Sequence, residues 1–102
     1  MTIINGMRPI HLGEILREEF MIPLGLSANA LAIALRVPAP RINDIARERR
    51  AISADTALRL ARYFGTSAEF WFGLQSDYDM KIALAESGAR IEKDVAPMEQ
   101  AA

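Results

Sequence analysis

Apolar residues recur at helical spacing in successive stretches of this chain, each closed by proline, glycine or a capping serine. Ile15, Leu16 and Phe20, with Glu14, Arg17, Glu18 and Glu19 around them, predict a first helix over Leu12–Ile22, ended by Pro23 and Gly25. Leu24 and Leu26 carry the chain onward as packing residues. Residues 27–47 read as two short helices joined by a tight turn. Leu31, Ala32 and Leu35 share a face of the first, Val37 lies in the turn, and Ile42 and Ile45 share a face of the second. Ser27 is placed to cap the first of these helices, and Pro38 and Pro40 stop it and start the next. Small Ala32 suits two helices that cross steeply, where backbones approach closely. Ser53 then caps a helix over Ala54–Phe64, with Ala57, Leu58, Ala61 and Phe64 as its stripe and Gly65 as its stop.

Ser67 caps a fifth helix with Glu69 in its first turn, beside the positive end of the helix dipole. Phe70, Trp71, Phe72, Leu74, Tyr78, Met80, Ile82 and Leu84 make it apolar over much of its circumference, so part of it is expected to bury against a second copy. The pattern predicts an all-α fold in three parts. Residues 1–11, broken by Gly6 and Pro9, form a flexible N-terminal segment; residues 12–86 form the domain; residues 87–102 form a polar, disordered tail.

Composition narrows the chemistry. At 102 residues, 51% hydrophobic and 25% charged, the chain fits one globular domain. With no cysteine, disulfides and thiolate metal sites are excluded. His11 is the only histidine and reads as a helix-start residue, so neither a metal nor a cofactor is expected. Glu18 and Glu19 are adjacent on a helix, point in different directions and make no acid–base pair, which leaves no catalytic constellation. No apolar run approaches the ~20 residues of a membrane span, and the N-terminus does not resemble a signal peptide; the cytoplasm is the expected location.

Net charge is −1, but its distribution is polarised. Between Arg36 and Arg62 seven arginines (36, 41, 47, 49, 50, 59 and 62) face only Asp44, Glu48 and Asp55. Beyond Tyr63 three cations face seven acids. A local positive potential steers DNA more than net charge does.

The paired helices with that basic middle resemble a helix-turn-helix, whose second helix enters the major groove. Ile42 and Ile45 turn toward the core, leaving Ala39, Pro40, Arg41, Asn43, Asp44 and Arg47 toward base edges. Arg41 can present a two-pronged donor to guanine, Asn43 can pair with adenine, and Ala39 and Pro40 can touch a thymine methyl. Asp44 would accept from cytosine or orient Arg41 or Arg47. Ser27 and Asn29, at a helix start, and Arg49 and Arg50, in the following loop, suit phosphate contacts.

From His11 to Asp79, about two thirds of the chain, the sequence resembles a HigA-type antitoxin of the lambda-repressor-like (XRE) helix-turn-helix family. The segments GEILREEF, RINDI and ADTALRLARYFGTSAEFW carry the likeness. The resemblance implies a compact five-helix domain that dimerises, binds an inverted-repeat operator in double-stranded DNA and represses its own operon. It also implies a partner, a small HigB-like toxin that cleaves mRNA; a stand-alone XRE-type regulator is the alternative. Base reading then falls on Ala39, Pro40, Arg41, Asn43, Asp44 and Arg47, and backbone contact on Ser27, Asn29, Arg49 and Arg50. Homodimer contacts fall on the fifth helix at Trp71, Phe72, Leu74, Gln75 and Tyr78. Arg36 stands at a turn position often held by glycine in this class, where the chain tends to the left-handed region.

Overall fold

The computed structural model describes residues 8–99. Five helices follow one another, and no strand occurs among the described residues: α1 Leu12–Leu24, α2 Ala28–Leu35, α3 Ala39–Ala46, α4 Ala54–Phe64 and α5 Ala68–Asp94. Four of them open on a side-chain cap that satisfies an otherwise orphaned N–H. Ser27, Ser53 and Ser67 accept from Ala30, Thr56 and Phe70, and His11 Nδ1 accepts from Gly13 N at 2.9 Å. Gly25 and Gly65 end α1 and α4 in the left-handed conformation.

α1 is not uniform. Leu16–Met21 are wound as a π-helix before Ile22–Leu24 resume the α form. The pattern predicts that Pro23 and Gly25 end the helix; Gly25 does, but Pro23 lies inside the last turn. The widened turn before it relieves the clash a proline ring would make with the carbonyl one α-turn back.

Leu12, Leu16, Leu31, Ile42, Ile45, Leu60 and Trp71 form the centre of the core. α1 crosses α3 so closely that a Cβ on Gly13 would stand 1.9 Å from the Ile45 carbonyl oxygen. Ala32 is buried as expected, but this contact also requires glycine. Trp71 is 0% exposed. Its ring packs on Phe20, Phe64 and Phe70, and its Nε1 donates to Thr66 Oγ1 at 2.7 Å. Trp71 is thus a residue of the domain core and is removed from the dimer contacts expected of it.

Both ends of the domain extend further than expected. α5 runs through residues 87–94, which the sequence pattern assigned to a disordered tail. Ala85, Glu86, Ala89, Arg90, Glu92 and Lys93 are strong helix formers, and the first later proline is Pro97. Polarity there marks a solvated helix surface, not a loose chain. Residues 8–11 of the expected flexible segment are likewise docked, whereas residues 1–7 lie outside the described residues. Arg8 makes a two-pronged contact with Glu14 at 2.9 and 2.7 Å. His11 is buried edge-on to Tyr78, with ring centroids 4.9 Å apart.

Candidate nucleic-acid interface

The aim of α3 is set by its buried side. Ile42 and Ile45 are 0% exposed, which fixes the rotation of the helix and turns its other residues outward. Pro40 and Arg47 are exposed, and Ala39, Arg41, Asn43 and Asp44 are half-buried at the surface. The start of α2 joins them. Ala28, Asn29, Ala39, Pro40, Asn43 and Asp44 line one open depression of about 320 Å³. Asn29, expected to touch only backbone, therefore shares a surface with the base-reading set. Ser27 is exposed, and because its oxygen accepts from Ala30 N at 3.0 Å its hydroxyl hydrogen stays free to donate.

The turn between α2 and α3 matches its expected conformation. Arg36 lies in the left-handed region at φ 62° and ψ 45°. Its N–H donates to Ile33 O at 3.1 Å, and Val37 N donates to Ala32 O at 3.0 Å, so the last carbonyls of α2 are satisfied. A second left-handed residue, Glu48 at φ 64°, follows α3 and turns the chain into the arginine loop.

Asp44 orients neither Arg41 nor Arg47. Its carboxylate lies 4.0 Å from Arg49 Nη1, and its carbonyl accepts from Arg49 N at 2.8 Å, so it organises the loop instead. Arg41 faces Asp55 on α4, with Nη1 3.9 Å from Oδ2. The same oxygen accepts from Arg59 Nε at 2.7 Å. The Arg59 hydrogen bond, with the nearby Arg41 charge, holds the Asp55 carboxyl below its usual range. Arg49 and Arg50 are exposed.

Three supports escaped the sequence reading. Arg17, there a surface ion-pair residue, donates to the Ala46 carbonyl at the end of α3 and pairs with Glu48 at 3.3 Å. Glu18 and then Glu48 raise its guanidinium pKa further. Arg59 Nη1 donates to the Leu35 carbonyl at 2.9 Å, closing the end of α2. Gln75, expected at a dimer contact, accepts from Ile52 N and donates to Ile52 O at 3.2 Å. Its amide is engaged within the chain, where it pins the loop that carries Arg49 and Arg50. The sequence signal was faint: a polar residue on an otherwise apolar helix.

The remaining residues of that group divide. Leu74 packs against the core and Tyr78 against His11, while Phe72 stays 43% exposed. Among the described residues no three His, Asp or Glu side chains are grouped to hold a metal, and no single helix is long and apolar enough to cross a membrane.

Comparison with known proteins points the same way. Residues 16–71 match the family HTH_3, described as helix-turn-helix. Virulence-associated protein I of Dichelobacter nodosus is 61% identical over 79 residues, covering 78% of this chain and 73% of its own length. The structure of Pseudomonas aeruginosa antitoxin HigA with the higBA promoter superposes with a TM-score of 0.87 at 55% identity, covering 90% of this chain and all of that one (100%). Antitoxin GraA in complex with its operator superposes with a TM-score of 0.88 at 48% identity, covering 97% and 100% of the two chains.

Proposed function

Since the chain belongs to the HTH_3 helix-turn-helix family and, within it, to the HigA-type antitoxins, we propose that it binds its own operator and represses its operon while neutralising a toxin. The carrying observation is α3: with Ile42 and Ile45 buried, Asn43 opens beside Asn29 on one flank, Arg41 reaches the surface on the other, toward α4, and Arg47 is exposed. That arrangement suits an α-helix entering the major groove end-on. Arg41 and Asn43 supply bidentate base contacts, Ala39 and Pro40 an apolar edge, and Asp44 the brace for Arg49. Ser27, Arg49 and Arg50 supply phosphate contacts and Asn29 reaches both.

An inverted-repeat operator calls for two recognition helices related by a two-fold axis, hence a homodimer. We place its contact on the outer half of α5. Met80 (67% exposed), Leu84 (65%) and Ile91 (51%) continue with Gly88 and Val95 along one side of the helix. A two-fold axis between Ser87 and Gly88 sets Met80 opposite Val95 and Leu84 opposite Ile91 of a second copy, so the stripe complements itself. Phe72 remains a candidate at the edge of this contact, while Leu74, Gln75 and Tyr78 act from within the subunit. The toxin is a HigB-like mRNA-cleaving protein, and the compartment is the cytoplasm.

A reporter driven by the DNA upstream of the gene tests this reading. The chain is expected to lower its output several-fold, and unchanged output contradicts autorepression. A small protein encoded beside the gene is expected to arrest growth alone and not with the chain. Indifference of growth to that protein leaves the stand-alone regulator.

A further inference from the structure

Arg41 is the side chain on α3 best suited to read guanine, and its partner lies outside the helix-turn-helix. Asp55, in the first turn of α4, stands 3.9 Å from Arg41 Nη1. Asp55 is in turn held by Arg59 at 2.7 Å, and Arg59 by the carbonyl of Leu35, the last residue of α2, at 2.9 Å. One continuous path of charge and hydrogen bonds therefore runs from the end of α2, through α4, to the reading side chain on α3.

We propose that Asp55 is a positioning residue for base specificity, fixing the direction in which Arg41 presents its guanidinium. This rests on the DNA reading of α3 given above. An arginine on a helix start samples many rotamers, and near DNA it is drawn to whichever phosphate is closest. A carboxylate on one flank restricts it and leaves its remaining donors for a base edge, the fork geometry that bidentate guanine recognition needs. The closest approach is Nη1 to Asp55 Oδ2, and at 3.9 Å it is an ion pair rather than a hydrogen bond, which leaves that nitrogen's hydrogens available. Asp55 is also an exposed negative charge beside the DNA-facing surface, and there it weakens attraction to any phosphate backbone. Its net effect is to lower general affinity and raise discrimination. A purely structural role for Asp55, favouring the start of α4 and pairing with Arg59 one turn on, would touch stability alone.

The test compares wild type, Arg41→Ala, Asp55→Asn and the double variant. Each is measured on a duplex selected by the wild type from randomised DNA, on that duplex with each base pair changed in turn, and on an unrelated duplex. Arg41→Ala is expected to lower discrimination at one base pair of each half-site about tenfold. Asp55→Asn is expected to lower it several-fold at that same base pair, with affinity for the unrelated duplex equal or higher. The double variant should discriminate no worse than Arg41→Ala alone, because both changes act through one side chain. Wild-type discrimination by Asp55→Asn overturns the proposal, as does a parallel loss of affinity for every duplex. Loss of discrimination nowhere in Arg41→Ala overturns the reading of α3 itself, and this proposal with it. Asp55→Ser, which removes the charge but keeps a residue suited to a helix start, provides the same comparison should Asp55→Asn fail to fold.

Discussion

Arg36 shows how a single residue sets the angle between the two motif helices. At φ 62° its Cβ crowds the neighbouring carbonyl, a cost that glycine avoids. Glycine would in turn lose more chain entropy on folding, so the two effects partly offset. Arg36→Gly is expected to stabilise the domain by roughly 0.5–1 kcal/mol, read from the urea midpoint at unchanged slope. A destabilised variant would mean that the Arg36 side chain contributes more than its backbone costs. The turn itself was legible in the sequence, as were the caps Ser27, Ser53 and Ser67, because all of them depend on residues within a few positions. Gly13 was not legible. Its need for glycine comes from the Ile45 carbonyl, which only the packed fold brings near. The same holds for Arg41 and Asp55, each readable as a charge but not as a pair.

Among the elements, α3 was the most readable and α5 the least. Two buried isoleucines one turn apart decide which side of α3 faces outward, and no distant contact alters that. For α5 the apolar residues were visible, but which of them the domain would use was not. Trp71 turned inward onto three phenylalanines and Gln75 onto the Ile52 backbone. The free apolar surface therefore lies further along, around Leu84 and Ile91, in a stretch that runs on past Ser87. Burying that surface against a second copy supplies a hydrophobic driving force, and an aspartate at its centre would be buried without a partner. Leu84→Asp is accordingly expected to yield a folded monomer by sedimentation at micromolar concentration, where the wild type is expected to sediment as a dimer. A dimer that survives Leu84→Asp would place the contact elsewhere.

The described residues span 57 × 27 × 22 Å, their length set by α5 projecting from the packed helices. The first half of α5 packs on α4 and reaches the Arg49–Arg50 loop through Gln75, so only its outer half, with Glu86, Glu92 and Asp94, stands away from the arginine-rich middle, and the molecule approaches a polyanion with the other end favoured. This polarity was readable from the order of charges alone. The loop that presents Arg49 and Arg50 was not, since its anchor, Gln75, comes from the far side of α4 in the chain. Every part of this polarity serves the one act proposed for α3, the reading of operator bases through Arg41. The direct measurement is an electrophoretic shift with DNA from immediately upstream of the gene, comparing wild type with Arg41→Ala against excess competitor DNA. A specific complex is expected for the wild type, weakened about tenfold or more in Arg41→Ala. Folded wild-type protein that shifts no DNA at low salt, or a variant that binds as the wild type does, would contradict that reading.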